Sequence, residues 1–143
     1  MKKIALLVIA VFWMLNDIEA QSVFGKWKTI DADTGKPESI VEIYKKDGKA
    51  YAKIIKILNK EDENRVCEAC KGNYKNKPIL GMVLFNGLKH DGKEWNDGKI
   101  LDPKNGKYYK CYISLVNNNK LKLRGYIGIS LLGRTEYWYR VNK

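Results

Sequence analysis

The chain has a single histidine, His90, three cysteines and three prolines among its 143 residues. One histidine leaves no histidine pair for a proton relay, and it sits in Lys89-His90-Asp91-Gly92, a turn where an imidazole is ordinarily solvated. The carboxylates fall in turn and loop clusters, Asp31 with Asp33 and Glu61-Asp62-Glu63, beside no base or nucleophile they would activate. An enzyme would have to bring two distant carboxylates together in space, and would lose its activity on mutation of Asp102 or His90; no catalytic residue and no cofactor is assigned. There is no run of five or more cations, although Lys and Arg total 27 against 16 acids, a formal +11. Scattered lysines without a recognition motif exclude the usual nucleic-acid footprint. They suit a solvated surface, and their sharper reading is attraction to an anionic envelope surface or acidic ligand.

An apolar run long enough to cross a bilayer is also missing. Ile4–Leu15 is uninterrupted but about twelve residues long, where a span needs about 20. It follows Lys2 and Lys3 and is followed by a short polar stretch to Ala20, the three parts of a secretory signal. Residues 1–20 are therefore expected to be cleaved, and 21–143 to form one exported domain, periplasmic or secreted. Residues 1–20 carry two lysines and two acids, so cleavage leaves +11 unchanged.

Beyond that point helix signals are nearly absent, and short β-branched and aromatic stretches alternate with turn residues. Lys107–Val116 places Tyr109, Cys111, Ile113 and Leu115 on one face, then Asn117-Asn118-Asn119 turns the chain. Leu121, Leu123 and Ile127 answer from the partner strand, with Lys120, Lys122 and Arg124 opposite. Ser39–Lys45 and Lys49–Leu58 flank Asp47-Gly48 as a second hairpin. Val23–Ile30, Ile79–Phe85, Glu94–Leu101 and Gly133–Val141 complete about eight strands. The expected fold is an antiparallel closed or nearly closed barrel, with a β-sandwich as the alternative. Asn59–Pro78 interrupts the rhythm as a long polar segment, expected as a lid over a barrel mouth.

Cys67 and Cys70 lie in that segment and Cys111 on an apolar strand face. In an oxidising compartment the local pair Cys67–Cys70 is favoured, and Cys67 to Cys111 stays open as the longer-range bridge. Cys111 otherwise reads as a buried, inert thiol. A thioredoxin-like role lacks the helix start it requires. Zinc on Cys67, Cys70, Cys111 and His90 lacks a second close-spaced ligand pair, so no metal site is assigned. In a closed barrel the first and last strands meet, so Trp27 becomes a neighbour of Trp138, Arg134 and Arg140, and an arginine stacked on Trp27 would close one end. Trp27, Tyr109, Ile113, Leu121, Leu123 and Tyr137 are the candidate lining for a small ligand.

The ordered pieces resemble an exported bacterial family, domain of unknown function 2147. They are Gly25-Lys26-Trp27, Asp33 to Val41, Cys67-x-x-Cys70, Gly81 with Leu88, and Trp95 through Asp102-Pro103 to Tyr109. Leu121 to Gly128 and Leu132-Gly133-Arg134-Thr135-x-x-Trp138 complete the set. Ala52 departs from it, where a glycine is expected. The resemblance implies a lipocalin-like barrel and, by analogy of fold, a small hydrophobic or lipid-like ligand; it supplies no catalytic residue. The competing expectation is an envelope interaction module with a packed core, meeting a partner through Lys122, Arg124 and Tyr126.

Overall fold

The computed structural model describes residues 22–142, so the expected signal segment, 1–20, lies outside the described residues. Eight strands follow one another in order: β1 (Gly25–Ile30), β2 (Pro37–Lys46), β3 (Lys49–Ile57), β4 (Val83–His90), β5 (Trp95–Asp102), β6 (Lys107–Asn117), β7 (Lys120–Tyr126) and β8 (Gly133–Arg140). Each pairs antiparallel with the next. β8 returns to β1 through Trp27↔Arg140 and Lys28↔Tyr139, closing the barrel and leaving no free edge. This is the barrel expected from the alternation, and it replaces the sandwich alternative.

Local chemistry sets the register. Asp47 and Gly48 both hold positive φ, 51° and 76°, as the tightest hairpin turns require, so β2 and β3 meet directly. Inward side chains then recur at every second position: Ser39, Val41 and Ile43 on β2, Cys111 and Ile113 on β6, Leu121 and Leu123 on β7, Trp138 on β8. The buried pair Thr29 and Ser39 satisfy each other through a 2.7 Å hydroxyl–hydroxyl bond, which removes the cost of two polar groups in the core. Ala52 packs at the contact of β2, β3 and β4, next to a register shift.

Two elements differ from the sequence reading. Ile79–Phe85 is not one strand: Gly81 takes φ 88° in a turn closed by Met82 N–H donating to Ile79, and β4 starts only at Val83. That strand runs on to His90, which therefore ends a strand rather than sitting in the turn after it. On β5, Asp97 bulges with φ 58°, so Trp95 pairs with Ile113 but Gly98 already pairs with Cys111.

Sequential antiparallel order also sorts the connections. The β2–β3, β4–β5 and β6–β7 turns gather at one end with residues 22–24 and 141–142. The β1–β2, β3–β4, β5–β6 and β7–β8 connections gather at the other.

Candidate functional site

The terminal end is sealed by Arg140. Its guanidinium lies 4.2 Å from the centre of the Trp27 ring, and its three nitrogens donate to Phe24 O (3.0 Å), Ser22 O (2.5 Å) and Asn118 O (2.6 Å). Trp27 Nε1 donates to Val23 O at 2.8 Å. One fork thus ties the segment before β1 to the β6–β7 turn. Burial pulls the Arg140 pKa below its ordinary value, yet the stacked ring and three carbonyls suit the charged form. Arg134 does not share this role. It lies at the opposite end of β8, paired with Glu136 at 2.9 Å.

The pinned segment builds one wall of a cleft of about 440 Å³. Val23 and Phe24 face the β4–β5 hairpin, where His90 ends β4, Lys93 lies in the turn and Trp95 opens β5, and Leu115 of β6 adds to the apolar surface. Trp95 is held between two rings, edge-on to Phe24 at 5.3 Å and tilted against His90 at 4.8 Å. Asp91 fixes the turn. Its carboxylate accepts from Lys93 N and Glu94 N at 2.9 Å each and from Asn96 Nδ2 at 2.7 Å, and those backbone donors hold its pKa below the ordinary value. The result is a half-open hollow with an aromatic wall and a single lysine, Lys93, at its rim.

The other end is polar and braced by charge. Lys104 in the β5–β6 turn reaches Asp31 at 2.6 Å and Glu38 at 3.4 Å. The hydrogen bond from Lys104, with backbone donors from Thr34 and Asp33, holds Asp31 well below the usual carboxylate range. Burial pushes Glu38 the other way. The β3–β4 segment docks on the same turn: Cys67 Sγ lies 3.3 Å from Pro103 O, and a Cβ on Gly106 would fall 2.1 Å from Ala69 O. Only glycine allows that approach. Cys67 and Cys70 form the local disulfide, and Cys111 is a free, buried thiol whose pKa burial pushes up to about 12.

The expected lining residues divide. Trp27, Ile113 and Leu121 keep no accessible surface and Leu123 almost none. A side chain facing a hollow that admits water would keep surface toward it, so the barrel centre at these positions is filled. Phe85 stacks on Trp138 at 6.4 Å within that core, and Trp138 Nε1 is buried without a partner among the described residues. Tyr109 is half-buried at the polar end, where its hydroxyl accepts from Asn105 at 2.9 Å. Tyr137 points outward, 40% exposed, with Lys120 Nζ 4.4 Å from its ring centre. Trp138 faces inward, and consecutive strand residues face opposite ways, so Tyr137 lines no interior. Asn59–Pro78 is not placed over the cleft; it lies at the opposite end, folded on itself by Val66↔Pro78 and by Cys67 N–H donating to Lys77 O at 2.8 Å. The sequence reading missed Phe24, Trp95, Lys93 and Leu115, whose proximity depends on closure and on the bulge at Asp97.

A closed, sequential eight-stranded barrel whose Gly-x-Trp opening is capped by an arginine is a lipocalin-like architecture. Protein HP1028 from Helicobacter pylori, described as belonging to the lipocalin family, superposes with a TM-score of 0.75 at 22% identity, covering 85% of this chain and 84% of that one. At that identity the likeness establishes the fold. No curated protein matches the chain. The chain belongs to the bacterial family DUF2147, described as an uncharacterized protein conserved in bacteria, whose model matches residues 25–140.

Proposed function

We propose that the protein is a non-catalytic binder of a small amphiphile, taken at the terminal end of the barrel rather than in its centre. The apolar part lies against Phe24, Trp95 and Leu115, and an acidic head meets Lys93 and His90 at the rim. The observation that carries this reading is the cleft itself. Its volume of about 440 Å³ falls within the roughly 300–1,000 Å³ typical of small-molecule sites, and its lining is divided evenly between apolar side chains and the polar groups of Ser22, His90, Lys93 and Ser114. A place outside the cytoplasm is part of the proposal, supported by the leader read over residues 1–20 and by the Cys67–Cys70 disulfide.

Mass spectrometry of organic extracts, from protein purified without detergent, should find an amphiphile near stoichiometry. Titrated dodecanoate should shift the emission of Trp95, and Lys93→Glu should weaken that binding by about fivefold, the scale of an exposed ion pair. The melting temperature should stay unchanged. An empty extract together with unmoved fluorescence would favour the second reading, an envelope interaction module without a ligand. The filled barrel centre is the observation on its side.

A further inference from the structure

The geometry points to the β7–β8 loop as a membrane-docking tip that seats the polar end of the barrel on an anionic lipid bilayer. Of the six residues between Tyr126 and Gly133, four are large and apolar, and all four face solvent: Ile127 is 65% exposed, Ile129 59%, Leu131 83% and Leu132 68%. Scattered apolar residues on a surface carry little meaning, but a contiguous group on one projecting loop does.

The loop is held in this pose. Arg124 of β7 reaches along it, Nε and Nη2 donating to Ser130 O at 3.0 and 2.8 Å and Nη2 to Leu131 O at 3.3 Å, while Nη1 donates to Thr135 Oγ1 at 2.9 Å. Leu132 N–H donates to Ile129 O at 3.0 Å, closing the turn. The fork that would otherwise meet a partner on the outer face, as the sequence suggested for Arg124, is spent on the loop's own carbonyls. Holding the backbone down by its polar groups leaves the side chains directed outward.

Charge favours a bilayer as the occupant. On the loop's half of β6 and β7, Lys107, Lys110 and Lys122 carry no carboxylate partner among the described residues, and the one carboxylate of β6, β7 and β8, Glu136, is paired with Arg134. Lys110 pairs directly with Tyr126 at the base of the loop, the level of headgroups once the tip is inserted. The outer face continues as lysine laid over tyrosine, Lys122 on Tyr112 and Lys120 on Tyr137, with Tyr108 exposed as well. Aromatic and long cationic side chains are those that settle at an anionic membrane interface. Area argues against a second copy of the chain. Four side chains on a projecting loop fall short of the ~800 Å² per partner that stable protein interfaces bury, whereas interfacial binding needs only a small apolar insertion and a basic surround.

The test is flotation of the full chain, as its producing cell delivers it, with phosphatidylcholine vesicles with and without phosphatidylglycerol. The protein should float with the anionic vesicles. Leu131→Asp with Leu132→Asp should lower that partitioning ~100-fold or more with an unchanged melt, and Lys110→Glu should lower it about fivefold. Brominated-chain lipids should quench Ile129→Trp more than the parent, which places the loop itself, and not the N-terminal segment, in the acyl region. Flotation that ignores the double substitution, or an absence of flotation on anionic vesicles, would overturn the assignment. So would a dimer that the double substitution converts to monomer. Lys93→Glu, at the opposite end, should leave flotation of this kind intact, so the cleft and the tip stand or fall separately.

Discussion

Two arginines hold the two ends of this barrel by the same chemistry, and the outcomes are opposite. Arg140 donates to three main-chain carbonyls and lies on Trp27; Arg124 donates to two carbonyls and a threonine hydroxyl with no ring behind it. At the terminal end the fork draws the chain inward, over the core, and Val23 and Phe24 become buried or half-buried. At the other end it pins a loop whose four apolar side chains stay outside. A guanidinium fork fixes backbone in either setting; what the fixed backbone presents is decided by whether a hydrophobic surface lies beneath it. One end is therefore a seal and the other a display.

Removing each fork is the most direct challenge to that contrast. Arg140→Ala takes the cover from the buried Trp27 and leaves the part-buried Phe24 O without its donor, so it should cost about 2–3 kcal/mol in urea unfolding. Arg124→Ala leaves its carbonyls free to bond water and should cost only about 1 kcal/mol. Arg140→Lys keeps the charge but not the planar fork and should recover little of the loss. Equal costs for the two alanine variants would mean that the Trp27 stack adds nothing and that the ends differ only in shape.

The asymmetry between the ends was partly legible in the chain. Alternation named the strands well in Lys107–Val116 and in the strand after Asn119, because a one-residue error there would turn every apolar side chain outward. It carried the second strand too far: Ile127, expected inward with Leu121 and Leu123, lies exposed beyond the end of β7. Gly25-Lys26-Trp27 and a terminal arginine announced closure once a barrel was assumed, though spacing alone left Arg134 and Arg140 equal. Register decides between them, since Trp27 pairs with Arg140. The same register excludes Tyr137, which cannot face inward beside Trp138. The cleft was illegible for a different reason. Phe24, Trp95 and Leu115 come from three distant segments, and the bulge at Asp97 changes which β5 residues face the core. Whether an inward leucine lines a hollow or fills it depends on volumes summed over eight strands, which no local pattern encodes.

Cys111 offers a probe of the shared core between the ends. Its thiol is pushed up to about 12 by burial, against an ordinary value of 9.0. The folded-state pKa is raised, so the stability this group contributes is complete below the unfolded value and is lost as pH climbs toward the folded one. At pH 10 the loss should be about 1–2 kcal/mol relative to pH 8. Cys111→Ala should flatten that part of the alkaline limb, whatever it costs at neutral pH from the space it leaves. A parallel fall in both proteins between pH 8 and 10 would show that the thiol opens to solvent and that the core is looser than its burial implies.

The smallest expected effect lies in the charge brace of the polar end, and there the sign matters more than the size. Asp31 is held below its ordinary pKa first by the Lys104 hydrogen bond, so its contribution is present above about pH 3.9, the unfolded value, and fades as pH falls toward the folded one. Glu38, raised first by burial, works in the other direction: its penalty is felt at neutral pH and relieved as it protonates. The two share Lys104, so the net acid response of this end should be shallow in the parent. Asp31→Asn removes only the member that favours neutral pH. Its thermal melts should lie below the parent's at pH 7 and approach them progressively as pH falls below ~4, where Asp31 takes up its proton in the unfolded chain before it does in the folded one. Added salt should change the gap little, because Asp31 and Lys104 are in direct contact at 2.6 Å rather than coupled across solvent. A gap that holds constant through the acid range would locate the loss in the Asx turn that Asp31 makes with Asp33 N and Thr34 N, leaving the contact of Lys104 with Glu38 as the ion pair that ties the β5–β6 connection to β2.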